Sequence, residues 1–419
     1  MKSIKVMALA VLAAALVCGV GMSLIAEQKT VTWLHIWGAG TEKEQIAKSI
    51  AQFEAANPDV KVEEIILSSA GWQPKLIQML SGDNPPDVFL WYPGPKTTAL
   101  VDEGVLAPLA GMWDDYGVDY FIPAGLKEAC AYEGEVWNLP WGYHPTIVVY
   151  NKHVFDDLGL TLPTTIAEFE SICDTLQAAG WDYPIASAWK GLWRGVFPPS
   201  LLISSLGGAD LLMDWKDLKI DFGDPTCREA YEIWKRWVEN EYWYPDPRSR
   251  TWAEGLSIML NNEAPMYIIG TYAVPMLEEA GWVLGQDFDA FLFPQENPDY
   301  PLTLFGPFDS WCMSAGAPHP VEAQRLLAFL ATTGPQTMRA IYHGGMACNK
   351  FVTAYNSVGQ MIQDAMAGGA VFRSITFGPF AASSIQQGTV IDFYDDPDIE
   401  DFIEKSNAVR EQYLEETGS

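Results

Sequence analysis

Short apolar runs alternate with stretches of helical spacing in the early part of the chain. Residues 30–37 and 60–66 alternate apolar and polar side chains, as half-buried strands do, and residues 87–91 form a third short apolar run. Residues 42–55 and 72–80 lie between these runs and repeat apolar side chains at helical intervals. Strands that alternate with helices in this way predict an α/β layered sheet.

The ends of these predicted strands carry aromatic and hydroxyl side chains. Trp37 ends the first strand beside glycines, Ser69 follows the second, and Trp91 with Tyr92 ends the third. Ligands of α/β sheets gather at the carboxyl ends of the strands, so we expect a ligand site there. Trp33 alternates inward within its strand and is expected in the core.

Composition limits the classes of function. At 419 residues the chain is longer than one ordinary domain, so two lobes are the natural expectation. A formal net charge of −29 disfavours nucleic acid, whose phosphates need Lys and Arg, and an anionic membrane surface. The 17 tryptophans suit partly solvated sites, because a buried indole N–H needs a hydrogen-bond acceptor.

Residues 1–27 have the pattern of a targeting segment. Two lysines precede an apolar run, residues 6–17, which predicts export to the periplasm or the outer face of the cytoplasmic membrane. Three outcomes stay open: a cleaved signal peptide, a lipoprotein attached through Cys18, or an N-terminal anchor formed by residues 6–26. Membrane contact is expected only through this segment.

Cysteine and histidine usage indicates no metal site and no cofactor. Five cysteines follow the targeting segment without a C-x-x-C motif, and burial as small apolar residues is favoured over disulfides, which stay open. The five histidines show neither an H-E-x-x-H motif nor paired metal spacing.

Short motifs follow one another in a set order from about residue 30 to residue 350. They are Trp33…Trp37, Thr41-Glu42, Asn57-Pro58, Val60-Lys61-Val62, Pro86-Asp87-Val88-Phe89, Leu106-Ala107-Pro108-Leu109, Tyr150-Asn151-Lys152 with Pro163-Thr164-Thr165, Gly270-Thr271-Tyr272 and His343-Gly344-Gly345-Met346. Each motif alone is weak, but their order resembles that of extracellular solute-binding protein family 1, which includes the maltose-binding proteins. Tyr272 stands where the family usually has Trp, which keeps a stacking face and adds a hydroxyl.

The resemblance implies an α/β fold with two lobes, the type II periplasmic-binding-protein fold, in which three crossing segments form a hinge. Lobe one would hold residues 28–139 and 311–368, and lobe two residues 140–310 and 369–419. It further implies the substrate-binding component of an ABC importer. Such a protein captures a carbohydrate by closing its lobes and delivers it to the transmembrane permease subunits. We expect a monomer.

A sugar presents apolar ring faces that pack on flat aromatic side chains, and hydroxyls that need fixed polar partners. We expect both kinds of group at the strand ends, at the first crossing and in the loops that match the family, with Trp141 and Tyr272 as stacking faces. The candidate ligand-binding residues are Trp37, Glu42, Ser69, Trp72, Trp91, Trp141, Tyr143, His144, Trp189, Trp193, Arg194, Tyr272, Asp309, Gly345 and Arg373.

Two other interpretations stay open. The chain is acidic enough to suit a polyamine, and a polyol or a peptide would also fit a binding protein of this class. Glycosidases use sugar-facing aromatic residues as well, together with two carboxylates. However, the sequence holds no G-x-S-x-G, phosphate-binding-loop or metal signature, so it favours a binding protein over a secreted hydrolase.

Overall fold

The computed structural model describes residues 28–68, 71–190, 194–374 and 380–417. The strands are, in chain order, β1 (Lys29–His35), β2 (Val60–Ile66), β3 (Val88–Trp91), β4 (Leu106–Ala107), β5 (Ala131–Tyr132), β6 (Glu135–Val136), β7 (Leu139–Tyr143), β8 (Thr146–Asn151), β9 (Ile185–Ala186), β10 (Met266–Gly270), β11 (Phe288–Phe291), β12 (Thr303–Gly306), β13 (Phe308–Ser314), β14 (Met346–Ala347) and β15 (Val371–Ser374).

Helices connect and cover these strands. They are α1 (Gly40–Ala56), α2 (Trp72–Leu80), α3 (Pro95–Asp102), α4 (Ala110–Asp115), α5 (Ala124–Glu128), α6 (Lys152–Leu158), α7 (Ile166–Ala178), α8 (Phe197–Lys216), α9 (Pro225–Glu239), α10 (Trp252–Leu260), α11 (Ala273–Glu279), α12 (Pro320–Ala331), α13 (Thr333–His343), α14 (Ser357–Ala367), α15 (Phe380–Asp395) and α16 (Ile399–Thr417). The α/β prediction is confirmed, and the first three predicted strands and two predicted helices correspond to β1–β3 and to α1 and α2. Within the described ranges, no helix is both long and apolar enough to cross a bilayer.

Seven of the described strands form one sheet, in the order β14-β7-β13-β3-β1-β2, with β4 also beside β13. β1 pairs in parallel with β2 and β3, whereas β13 runs antiparallel to both β3 and β7. A late strand therefore lies between strands from the first part of the chain. Trp33 on β1 is fully buried in the core of this sheet, as predicted.

Four strands form a second sheet in the order β11-β8-β10-β9. Its strand β8 is covered on both faces: Val148 and Tyr150 join one apolar cluster, and Ile147 and Val149 join another. Burial on both faces explains why this strand reads as a continuous apolar run. On the first of these clusters lies α9, whose Trp234 and Trp237 are buried.

The chain passes between the two sheets at several points. β7 ends at Tyr143 in the first sheet, and β8 begins at Thr146 in the second. β12 and β15 pair in parallel, and β12 leads directly into β13 of the first sheet. The predicted lobe boundaries stay predictions, and strand pairing places residues 139–143 with the first sheet.

Five cysteines are buried with free thiols in this structure. They are Cys130, Cys173, Cys227, Cys312 and Cys348. Burial agrees with the expected role as small apolar residues. The candidate lipidation residue Cys18 and the rest of the predicted targeting segment lie outside the described residues.

Candidate ligand site

The candidate site lies where the chain first crosses between the sheets. The amide of His144 donates to the carbonyl of Pro307 at 2.9 Å, which ties the first crossing to the segment between β12 and β13. The amide of Thr271 donates to the carbonyl of Pro145 at 3.2 Å, which adds the segment after β10. Segments far apart in sequence therefore meet around one histidine.

His144 bonds to a residue on each side of the crossing. Nη2 of Arg339, on α13, lies 2.7 Å from Nε2 of His144, and Oγ1 of Thr271 lies 3.2 Å from Nδ1. A guanidinium only donates, so Nε2 accepts and Nδ1 carries the proton that it donates to the threonine. Burial lowers the pKa of His144, which agrees with this neutral form.

Asp309 on β13 neutralises Arg339. The same Nη2 donates to Oδ2 of Asp309, and both side chains are buried. Burial acts to raise the pKa of Asp309, but the hydrogen bond and the positive charge of the neighbouring Arg339 act against it, and the pKa lies below its ordinary value. The pair is therefore ionised, and its two charges cancel.

Two tryptophans enclose the guanidinium. Its carbon Cζ lies 5.0 Å from the ring centroid of Trp37 and 5.8 Å from that of Trp141, both distances typical of a cation–π contact. Trp311 packs against both indoles, at 5.4 and 5.6 Å between ring centroids. Trp141 has no exposed surface and Trp37 is only 5% exposed, so both rings form a packed wall of the site.

Two glycines allow this packing. A Cβ atom at Gly142 would lie 2.7 Å from Nε of Arg339, and one at Gly345 would lie 2.8 Å from Cε1 of His144. Gly345 thus lies beside His144, and its missing side chain leaves space for the neighbouring side chains.

Glu42 and His343 form a second polar pair beside Trp37. Nε2 of His343, at the end of α13, lies 2.5 Å from Oε1 of Glu42 in the first turn of α1. Burial raises the pKa of Glu42 to about 7, although the charge of Arg339 acts in the opposite direction. The His343 ring packs on Trp37 with 4.8 Å between centroids.

Tyr272 approaches the site from the second sheet. Its ring lies 5.4 Å from that of His144 and 5.0 Å from that of the half-buried Trp252. Burial raises the pKa of Tyr272 to about 12. Its hydroxyl is buried, and among the described residues none hydrogen bonds to it in good geometry. It is therefore a buried polar atom at the junction without a hydrogen bond of good geometry.

Other candidates from the first part of the chain lie next to this group. Trp72 and Trp91 pack on each other at 5.6 Å between ring centroids, and both are buried in the core of the first sheet. Tyr92 packs on Trp72 at 6.0 Å and is partly exposed. Burial is the main cause of the raised pKa of Tyr92, and the negative charge of Asp309 is the second. The Tyr92 hydroxyl is therefore close enough to the site to interact electrostatically with Asp309.

Two candidates from the predicted lobe two are buried. Trp189 packs on Trp243 at 5.6 Å, within the largest apolar cluster of the second sheet. Arg194 donates to the hydroxyl of Tyr267 at 2.5 Å and to the carbonyl of Ile268 at 2.6 Å, so it fastens β10 to the loop before α8.

The remaining candidates are spread around the crossings. Tyr143 is partly exposed and packs on Phe372 of β15 at 4.7 Å. Arg373 forms an ion pair with the exposed Asp210 at 3.3 Å. Ser69 and Trp193 lie outside the described residues.

Sequence reasoning missed Arg339, His343, Thr271 and Trp252. Arg339 and His343 are four residues apart on α13, a spacing that places both on one helix face. Nothing in the sequence says that this face is buried against segments from the first part of the chain. A single arginine among apolar and uncharged residues of the helix is the one signal that pointed to Arg339.

Potential metal ligands also meet here. One atom each of His144, Asp309 and His343 lies within 4.8 Å of the others. However, Nη2 of Arg339 lies between His144 and Asp309 and bonds to both. The guanidinium thus supplies the positive charge that a metal ion would bring, and it uses the side-chain atoms of His144 and Asp309 that would bind the metal.

Comparison with known proteins gives the site a context. A model of the family described as bacterial extracellular solute-binding protein matches residues 39–337. The chain is 25% identical over 309 residues to an uncharacterized ABC transporter extracellular-binding protein of Pyrococcus horikoshii, covering 72% of this chain and 68% of the relative. It is 28% identical over 205 residues to the diacetylchitobiose binding protein DasA of Streptomyces coelicolor. This match covers 48% of the chain and 47% of the relative.

A solved structure has the same fold. The bacterial solute receptor AcbH, described as preferring β-D-galactopyranose, superimposes with a TM-score of 0.82 at 20% identity, covering 92% of this chain and 98% of the receptor. The predicted two-lobed, type II architecture is thereby confirmed.

Proposed function

The chain belongs to the bacterial extracellular solute-binding protein family, and from that premise we propose that it captures a neutral carbohydrate between its lobes for an ABC importer. The family membership confirms the resemblance drawn from the order of the sequence motifs. Family members and structural neighbours are substrate-binding proteins rather than enzymes.

The observation that carries the proposal is the unpartnered Tyr272 hydroxyl beside aromatic rings at the junction of the lobes. A sugar needs flat apolar faces and fixed polar partners at the same place, with water excluded. Trp252 and Tyr272 offer rings from the predicted lobe two, and the polar pair of Glu42 and His343 lies on the side of the predicted lobe one. Trp37 and Trp141 would act as the rigid wall behind these groups.

The charge balance of the site supports a neutral ligand over a polyamine. Asp309 is cancelled by Arg339, and His144 is neutral by its hydrogen bonds. Glu42 is paired with His343. Although the whole chain carries a net charge of −29, the site offers a polyamine no uncompensated carboxylate.

The same pairing argues against a hydrolase. A glycosidase needs two carboxyl groups about 5–10 Å apart that are free to act on the glycosidic bond. Here the carboxylate of Asp309 accepts from Arg339, and that of Glu42 lies against His343. A bound sugar would therefore leave unaltered.

The remaining parts of the proposal concern the cellular setting. The chain would be exported, held in the periplasm or at the outer face of the cytoplasmic membrane, and active as a monomer. Its partner would be the transmembrane permease of an ABC importer, which would recognise the closed form. The order of the family motifs and the pattern of residues 1–27 support this setting.

A thermal-shift screen of the exported chain tests the proposal. The ligands should include galactose, N,N′-diacetylchitobiose, xylo-oligosaccharides, erythritol, spermidine and a mixture of short peptides. The relatives and structural neighbours named for such sugars and polyols guide this choice. A ligand at 100 times its dissociation constant adds about 2.7 kcal/mol to the free energy of unfolding. A response only to spermidine or peptides, or hydrolysis of the sugar on incubation, would overturn the proposal.

A further inference from the structure

The second sheet carries an aromatic groove at the end opposite the candidate site. The groove has a volume of about 820 Å³, part of it open to solvent, and three loops line it, with Trp181, Tyr183, Tyr244, Asp182, Asn262 and Glu263 as the larger side chains. Glu263 precedes β10, whereas Tyr272 follows that strand. The five residues of β10 separate the two places by about 16 Å at ~3.3 Å per residue.

The aromatic rings of the groove are held in place from below. The indole of Trp181 donates to the carbonyl of Asn262 at 3.3 Å, and its ring packs on the lobe-two core. Tyr183 and Tyr244 meet edge to face with 5.8 Å between centroids. All three rings are half-buried, so each is fixed on one side and open on the other. Rings held in this way lose little conformational freedom when a ligand packs on them.

The polar groups of the groove are mostly acceptors. The hydroxyl of Tyr244 donates to the carboxylate of Glu263, and Asp182 is exposed at the rim. A carboxylate has two oxygens and accepts several hydrogen bonds, so it suits the hydroxyls of a sugar. Flat rings beside such acceptors also suit an organic cation, and the choice between the two ligands needs a further observation.

Arg250 decides between a sugar and a cation. Its guanidinium carbon lies 4.9 Å from the ring centroid of Tyr244, and its Nη1 donates to the carbonyls of Pro245 and Asp246 at 2.6 and 3.0 Å. One face of the Tyr244 ring is therefore already covered by a cation that the backbone holds there, and a ligand cation on the neighbouring ring of Tyr183 would be repelled by its charge. The remaining open faces and acceptors favour a neutral, hydroxyl-rich ligand.

We propose that this groove is a second carbohydrate site, which holds a stretch of neutral polysaccharide on the outer face of lobe two. The proposal does not rest on the function assigned to the junction of the lobes, because none of its residues lies there. A polysaccharide bound in the open groove through several of its sugar units would keep the protein close to a polymer from which short sugars are released.

Affinity electrophoresis of the exported chain tests this proposal. Native gels are cast with one soluble polysaccharide each, namely xylan, glycol chitin, galactomannan or pullulan, with serum albumin as a non-binding reference. We expect at least one polymer to retard the wild-type chain. Tyr183→Ala and Asp182→Ala should each weaken the retardation by about five-fold, equivalent to ~1 kcal/mol, while Tyr272→Ala should not.

Controls distinguish binding in the groove from binding between the lobes and from unfolding. Thermal unfolding without ligand should match the wild type for Asp182→Ala, whose side chain is exposed, and this variant remains informative if Tyr183→Ala unfolds. Retardation by none of the polymers overturns the proposal. So does retardation that only Tyr272→Ala abolishes, because the polymer end would then lie between the lobes. Release by tetraethylammonium chloride but not by sodium chloride would identify a cation groove instead.

Discussion

Arg339 on α13 forms a buried ion pair with Asp309 on β13, at the point where the two sheets meet. The pair lets the site contain strong hydrogen-bonding groups without a net charge. A buried pair adds little stability compared with apolar residues of the same size, but removal of one partner leaves the other charge buried alone. The first prediction follows from this asymmetry.

Arg339→Met should lower the free energy of unfolding by about 3–5 kcal/mol, because the carboxylate of Asp309 then lacks its counter-charge. Urea denaturation measures the change. Arg228→Met is the matched control, since its partner Glu400 is exposed and the loss should be far smaller. The double variant Arg339→Met, Asp309→Asn should recover part of the loss. Equal effects of the two single variants would contradict the assignment of a buried pair.

Gly142→Ala should destabilise the fold by about 1–3 kcal/mol, as overpacking does in a filled interior. The added Cβ would lie 2.7 Å from Nε of Arg339, whose guanidinium is enclosed by two indoles and cannot retreat without breaking contacts. Gly111→Ala in α4 is the control, because nothing beyond the adjacent residues and the backbone of its own helix lies within 4 Å of its Cβ position. Thermal unfolding that is unchanged in Gly142→Ala would show that Arg339 is not held as described.

Tyr272→Phe should leave the free energy of unfolding unchanged or slightly raised, because the removed hydroxyl is buried without a good partner. Binding of the sugar found in the screen should weaken by about 0.5–1.5 kcal/mol, the usual worth of one hydrogen bond. Isothermal titration calorimetry gives the affinity. Tyr267→Phe should instead lower the free energy of unfolding. The Tyr267 hydroxyl accepts a hydrogen bond from Arg194 and donates one to the carbonyl of Trp252, and both are lost in this variant. If Tyr272→Phe bound the sugar as tightly as wild type, the hydroxyl would have no role in capture.

The raised pKa of Glu42 predicts a stability that depends on pH. Burial raises this pKa from 4.5 to about 7, so between these values the folded chain holds a proton that the unfolded chain has lost. The contribution of Glu42 to stability is therefore fully present below pH 4.5 and falls as the pH rises to about 7, by about 3–4 kcal/mol for about 2.5 pH units at 1.36 kcal/mol per unit. Glu42→Gln should remove this pH dependence. The stability of the variant relative to the wild type should therefore increase between about pH 5 and pH 8.

Glu54→Gln provides the control for the pH series. Burial acts to raise the pKa of Glu54, but hydrogen bonds from Lys61 and the amide of Val62 lower it overall. A lowered pKa contributes stability that is lost only as the pH falls below the ordinary value of 4.5. The difference between Glu54→Gln and wild type should thus stay constant from about pH 5 to pH 8. A constant difference for Glu42→Gln as well would show that its carboxyl is ionised throughout.

The sequence predicted the early sheet because its signals are local. Residues 60–66 alternate and residues 72–80 have helical spacing, and both ranges coincide with β2 and α2. The burial of Trp33 followed from alternation alone. Such patterns depend only on which side of one strand or helix faces the interior, so the neighbours along the chain suffice to reveal them.

The site itself depends on contacts that no local pattern contains. Arg339 meets His144 only because β13 lies between β3 and β7, which brings α13 over the first crossing. Trp141 was expected to face a ligand, and it remains a candidate, but its burial against Trp311 and Arg339 could not be read from the neighbouring residues. Tyr272 was located through the family motif, which encodes the long-range arrangement that periodicity lacks.

Small-angle scattering with and without the sugar found in the screen tests the central claim, capture between two lobes, most directly. A ligand that contacts both lobes favours the closed state, because only that state makes both sets of contacts at once. We predict that saturating sugar lowers the radius of gyration of the wild-type chain and has no such effect on Tyr272→Ala at the same concentration. A scattering profile that stays the same when the wild-type chain is saturated would contradict capture by closure and indicate a rigid, preformed pocket.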